Sequence, residues 1–155
     1  MIVYLSGAME NASDEGANWR EELTIWLKSE LNHDVIDPVK TSQQLVNDHQ
    51  AHDYRKWKST DPEQFKTFVR KAIDLDLNNV MNRCDYLICL WNKDVLSGGG
   101  THGEVTMAYS VKKPVYLINQ LPLNELSGWI MSCAEKIFSN MDELKDYLIN
   151  TYTNR

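Results

Sequence analysis

Apolar residues along this chain fall into short unbroken runs, separated by longer stretches with helical spacing. Residues 2–7, IVYLSG, form one continuous run ending in Ser-Gly, and residues 85–91, DYLICLW, form another. Such runs are what a strand buried on both faces requires. Residues 34–38, DVIDP, predict a short strand closed by Pro38, residues 114–119, PVYLIN, a fourth strand, and KIF at 136–138 a short fifth. Between the first two, Trp19, Leu23, Trp26 and Leu27 recur on one side of a helix over 18–31. The longest helical pattern covers 61–84, with Asp61 placed to cap it and Pro62 at its first position. Further helices are predicted over about 103–112 and 141–149. Residues 39–61 are rich in Gln, Asp, His and Lys and show no clear period, which predicts a loop with some helix, a candidate lid.

Strands alternating with helices imply right-handed crossovers and a parallel sheet covered on both faces. Residues 1–155 therefore read as one α/β domain, a Rossmann-like or flavodoxin-like three-layer sandwich on a five-stranded, mainly parallel sheet. Ligands of such sheets bind beyond the carboxyl ends of the strands, where the strand order reverses. With the order 2-1-3-4-5, that crevice lies between the first strand, which leads into SGAM, and the third, which leads into WNKDVLSGGG. The stretch SGGGTHGEV, residues 97–105, sits beside it.

Helical phase, at about 100° per residue, sets two carboxylates apart. In the helix over 61–84, Phe65, Val69, Ala72, Ile73 and Val80 share one side, and Asp76 falls within that stripe while Asp74 points the other way. In the next helix Met107, Ala108 and Val111 form the inward face, with Glu104 on the same side one turn earlier. An ionised carboxylate facing a core is costly unless paired, hydrogen-bonded or open to a pocket. Two of them on adjacent elements predict a shared cavity. In a first helical turn, Glu104 would also be held ionised by unpaired backbone N–H groups and the helix dipole, as a carboxylate nucleophile should be. The plainer alternative is a solvated Glu104, with Asp76 paired to Arg20 or Arg83.

Charge narrows the ligand. With 16 basic and 22 acidic residues the formal charge is −6, and no basic stripe is present to hold a nucleic-acid polymer or an anionic membrane. A small molecule remains. Cys84, Cys89 and Cys133 are odd in number and lie in apolar surroundings, as expected of reduced core residues in a cytoplasmic protein. The opening MIVYLSGAM carries no basic leader, so no signal peptide is expected, and no run has the length of a membrane span.

Other motifs carry less. Residues 98–103 match GxGxxG formally, but the match begins several residues after the strand and no acid closes the strand that follows. The glycines, Gly100 among them, read instead as places where backbone approaches a ligand closely. His102 is a candidate ligand contact or base, although a lone loop histidine is more often neither. His49, His52 and Asp53 have metal-ligand spacing but lie in the polar segment, where a solvated face is the simpler reading. Ser97 with His102 lacks the strand-turn-helix elbow of a serine hydrolase. Trp19 or Trp91 could stack a base, with core packing the default.

One combination is distinctive. VYLSGAM at the start, DLN at 76–78 before CDYLICLW, Asp94, and GTHGEVTMAYSVKKPVYLI from residue 100 together resemble the nucleoside 2-deoxyribosyltransferase-like superfamily. That superfamily includes nucleoside-monophosphate N-glycosidases and small uncharacterised relatives. The resemblance runs from residue 1 to about 118. It implies a Rossmann-like fold and cleavage of the N-glycosidic bond of a (deoxy)nucleoside or its 5′-monophosphate, with transfer to another base or to water. By motif position Glu104 would be the nucleophile, Tyr4 the phenol that orients it, and Asp76 and Asp94 the aspartates at the base. Ser6, Gly7, Trp19, Gly100 and His102 would contact substrate, with Ser132 a possible phosphate contact where the family's sugar-binding Asp-Asn pair is unmatched. No metal or organic cofactor is implied, and a homo-oligomer is expected. The rival is a nucleotide-binding or sensing module on the same scaffold without turnover.

Overall fold

In the computed structural model, which describes residues 1–153, the strand β1 (Ile2–Gly7) is an interior strand of the sheet and is buried from Val3 onward. The remaining strands are β2 (Asp34–Ile36), β3 (Tyr86–Trp91), β4 (Val115–Asn119) and β5 (Lys136–Phe138), and the sheet order is β2-β1-β3-β4-β5. Every pairing is parallel, so the sheet is wholly rather than mainly so, and the fold is flavodoxin-like. Order reverses at β1, whose Tyr4 and Ser6 lie opposite Leu87 and Cys89 of β3.

The helices are α1 (Ala17–Leu31), α2 (Pro38–Asp48), α3 (Tyr54–Thr60), α4 (Pro62–Asn78), α5 (Gly100–Ser110), α6 (Gly128–Cys133) and α7 (Met141–Tyr152). Leu23 and Leu27 of α1 and Leu144 and Leu148 of α7 join Val3, Leu5, Ile88 and Ile118 in a core on one face of the sheet. Val105 and Ala108 of α5 and Ile130 and Cys133 of α6 join Tyr4, Leu87, Leu117 and Trp91 in a core on the other. All three cysteines are buried and unpaired. Among the described residues no helix is long and apolar enough to cross a membrane.

Three expectations need correction. Residues 39–61 are mostly helical: Asp37 accepts from the Val39 amide with Pro38 at the first position, capping α2 as Asp61 and Pro62 cap α4. The α3 helix follows and is tied to the turn after β1 by an ion pair between Arg55 and Glu15. In α4 the buried residue is Phe68, whereas Ile73 is exposed, because the inward stripe is turned slightly from the expected one. Finally, α5 begins at Gly100, so half of the glycine-rich stretch is helix rather than loop.

Candidate active site

The strand β1 places alternate side chains on opposite faces. Val3 and Leu5 face α1 and α7, while Tyr4 and Ser6 reach toward α5 and meet Glu104. The Tyr4 hydroxyl donates to Glu104 Oε1 at 2.9 Å, and the Ser6 hydroxyl donates to Oε2. Both carboxyl oxygens therefore hold a donor, and Glu104 is only 9% exposed. Asp76, from the last turns of α4, acts on the same Tyr4 hydroxyl. A π-helical turn, Asn79–Arg83, begins three residues after Asp76, so the helical phase that aims Asp76 inward is intact where it matters. The two acids share a cleft of about 200 Å³ beyond the carboxyl ends of β1 and β3, together with Gly7, Met9, Asp94 and Gly100.

Burial governs the electrostatics. It pushes the Glu104 carboxyl up to about 7; Asp76's negative charge adds to the rise, while Ser6, Tyr4 and Arg20 oppose it. Asp76 is pushed to about 6, again by burial, against the Tyr4 hydroxyl and the Arg20 charge. The expectation of a first-turn Glu104 held ionised by the helix end is thus overturned. The Gly103 amide already bonds the Gly99 carbonyl, so Glu104 lies past the unpaired donors, in a pocket dry enough to favour its neutral form. The two carboxyls titrate as a pair, and near neutrality the pair retains about one proton.

Arg20 was not anticipated as part of this architecture. It shares the inward phase of Leu23 and Leu27 and is fully buried. Its guanidinium donates to the carbonyls of Leu5, Gly7, Ala8 and Gly16, and it stands 3.8 Å from Asp37. Those carbonyls define the turn that leaves β1 and walls the cleft. Gly16 sits at φ 74°, and a Cβ there would collide with Arg20 Nη1 and the Ala8 carbonyl, so only glycine fits. The alternative partners for Asp76 are engaged elsewhere: Arg20 as described, and Arg83 on the Asn79 side chain at 3.1 Å.

Of the residues singled out from sequence, Tyr4, Ser6, Asp76 and Glu104 come together, and Gly7, Asp94 and Gly100 line the same cleft. Asp94 follows Asn92, whose side chain caps a 3₁₀ turn at Lys93–Ser97 and reaches the Asp94 amide at 3.1 Å. Three others do not line it. Trp19 packs against the Arg20 guanidinium and the α1-side core. His102 turns to the opposite side of α5, edge-on to Trp91, and lines an apolar hollow with Leu77 and Trp129. Ser132 donates to the Gly128 carbonyl near Tyr109 and Cys133. Within the metal-like triplet, Asp53 is taken by Lys56 at 2.8 Å and His49 packs on Phe68. Compared with known families and curated proteins, the chain matches no family model and no curated sequence.

Proposed function

We propose that this protein cleaves the N-glycosidic bond of a small (deoxy)nucleoside or nucleotide, transferring the sugar to another base or to water. The observation that carries this reading is the buried Glu104, gripped at both oxygens by Tyr4 and Ser6 and sharing its cleft with Asp76. The resemblance of VYLSGAM and GTHGEVTMAY to nucleoside 2-deoxyribosyltransferases supports it independently.

The pair divides the labour. Burial raises Glu104, to about 7, above Asp76, at about 6, so before substrate binds the shared proton rests on Glu104. In the reactive form it has passed to Asp76, and the two hydroxyl donors on Glu104 steady the negative charge left there. A Glu104 oxygen attacks the anomeric carbon as the C–N bond breaks, and the bonding electrons leave on the base nitrogen, which takes the Asp76 proton. Asp94 lies at the same mouth, where it can hold the departing base. Water or a second base then attacks the anomeric carbon and releases Glu104; Asp76 takes up the incoming group's proton. The anomeric configuration is retained after two inversions. These steps call on no metal or organic cofactor. A homo-oligomer, in which a neighbour completes the sugar site, belongs to the same proposal, whereas a nucleic-acid polymer or membrane partner does not.

The test is to incubate the protein with deoxynucleosides and their 5′-monophosphates, with and without an acceptor base, and to follow free base by chromatography. Base release lost by at least about a thousandfold in Glu104→Gln supports the reading. Binding without release by the wild type would instead favour a nucleotide sensor on this fold.

A further inference from the structure

We propose that Arg20 is a positioning residue for Glu104. It stands in for the missing end of β2, holds the main chain on either side of Ser6, and so sets a hydroxyl that grips the nucleophile. The inference rests on the glycosidic reading above and goes beyond it, because Arg20 is fully buried behind the cleft wall and does not line the cleft.

The register of the sheet shows why a donor is needed there. Along a parallel strand, the main-chain groups of successive residues point to alternate neighbours. The Met1 carbonyl accepts from Asp34 of β2, and the Ile2 carbonyl accepts from Asp85, just before β3. Leu5 and Gly7 therefore turn their carbonyls to the β2 side. Yet β2 reaches only Ile36, opposite Tyr4, whereas β3 accompanies β1 as far as Gly7. Past Tyr4 no strand supplies donors on the β2 side, and a buried carbonyl without a donor is costly. The Arg20 guanidinium supplies them: Nε donates to Leu5 at 3.2 Å and Nη2 to Gly7 at 2.9 Å. Nη1 continues to Gly16 at 2.8 Å and to Ala8 at 3.4 Å. Ser6 lies between the two anchored strand carbonyls, and its side chain points to the α5 face, where it donates to Glu104.

The task suits arginine and not lysine. A guanidinium carries five N–H donors in a fixed planar fork, whereas an ammonium carries three on one atom. Asp37, the first residue past β2, stands 3.8 Å from Nε and caps α2, so the same fork ties the β1 turn to the corner where α2 departs. Trp19 covers the guanidinium at 4.7 Å, and a Cβ on Gly7 would press on that ring at 3.0 Å. The Arg20 charge also lowers the Asp76 and Glu104 carboxyls, against the burial that raises both.

The experiment uses two variants that separate fork from charge. Arg20→Lys keeps the charge and loses the fork, while Arg20→Gln loses the charge and keeps two donors. Leu27→Ala, further along the same helix, controls for lost stability alone. Base release gives kcat, KM and the pH profile, and carbon NMR follows the Glu104 carboxyl directly. Arg20→Lys should lower kcat about a hundredfold with KM within about threefold of the wild type. Glu104 should titrate at higher pH in both variants, further in Arg20→Gln, with the acidic limb of the pH profile moving alongside. Leu27→Ala should move neither. Joined to Ser6→Ala, Arg20→Lys should add less than about threefold to the loss from Ser6→Ala alone, since both act through one hydroxyl. Losses that multiply, or an Arg20→Lys protein with wild-type kcat and Glu104 titration, overturn the inference and leave the glycosidic reading standing. Failure of both variants to fold overturns it too, making Arg20 a residue of the fold alone. If the wild type releases no base, the glycosidic reading falls, and the Glu104 titration still decides for or against Arg20.

Discussion

The two faces of β1 are built from neighbouring residues and have opposite economies. Toward α1 and α7 it presents Val3 and Leu5, packed among Leu23, Leu27, Leu144 and Leu148, all essentially without exposure. Toward α5 it presents Tyr4 and Ser6, which bury two hydroxyls against a carboxyl group. Each leucine on the first face contributes about 1.5–3 kcal/mol by leaving water. On the second face, displacing Glu104 from 4.5 to about 7 corresponds to roughly 3 kcal/mol at most of lost stability when the group is ionised. One or two leucines offset one functional acid. A strand with period two lets a single element serve both needs, and the packed face steadies the costly one.

This contrast can be broken or sharpened by mutation. The largest effect is expected from Leu27→Ala, which should lower unfolding stability by about 2–5 kcal/mol in urea titrations. It should leave the ionisation of Glu104 where it is, since Leu27 belongs to the opposite core. A Glu104 pKa that moved with Leu27 would show that the two faces are not separable.

Next comes Glu104→Gln, which should stabilise the protein at pH 8 by roughly 1–3 kcal/mol and much less at pH 4. The sign follows from a folded-state pKa above the unfolded one. The wild type has the full contribution below about 4.5 and loses it as pH rises through about 7, whereas glutamine does not titrate. Denaturant midpoints at the two pH values measure the difference, and a variant less stable at pH 8 would contradict it.

The smallest effect belongs to Tyr4→Phe. Losing one hydrogen bond should cost about 1 kcal/mol. It also removes a donor that favours ionised Glu104, so the carboxylate signal, followed by infrared or carbon NMR, should titrate at higher pH than in the wild type.

The five strands and the convergence of Asp76 and Glu104 were readable because they rest on unbroken apolar runs and on helical phase, both properties of neighbouring residues. The strand order, by contrast, was an assumption that the structure supplied. What escaped the reading has specific causes. The α2 and α3 helices bury only Pro38 between them, so their few apolar residues, such as Val39 and Val46, stood out little among polar ones, although Asp37-Pro38 repeats the cap signature of Asp61-Pro62. Gly100 and Gly103 are poor helix formers, which hid the first turn of α5 and misplaced Glu104 by a turn. Arg20 had the phase of Leu23 and Leu27 in plain view, yet a lone cation is rarely given an inward place from sequence. Its partners are backbone carbonyls, which leave no mark on residue identity. His102 was drawn to the site by proximity to Glu104, but two positions along a helix turn a side chain to the far side.

The guanidinium clamp and the nucleophile's grip also differ in how far along the chain they reach. Arg20 binds carbonyls between 4 and 15 positions away, while the Tyr4–Glu104 bond closes a loop of 100. Closing the longer loop costs about 2 kcal/mol more in chain entropy. One side of the hollow is thus fastened by local bonds, and the side bearing the reactive acid is recruited from a distant stretch of the polypeptide.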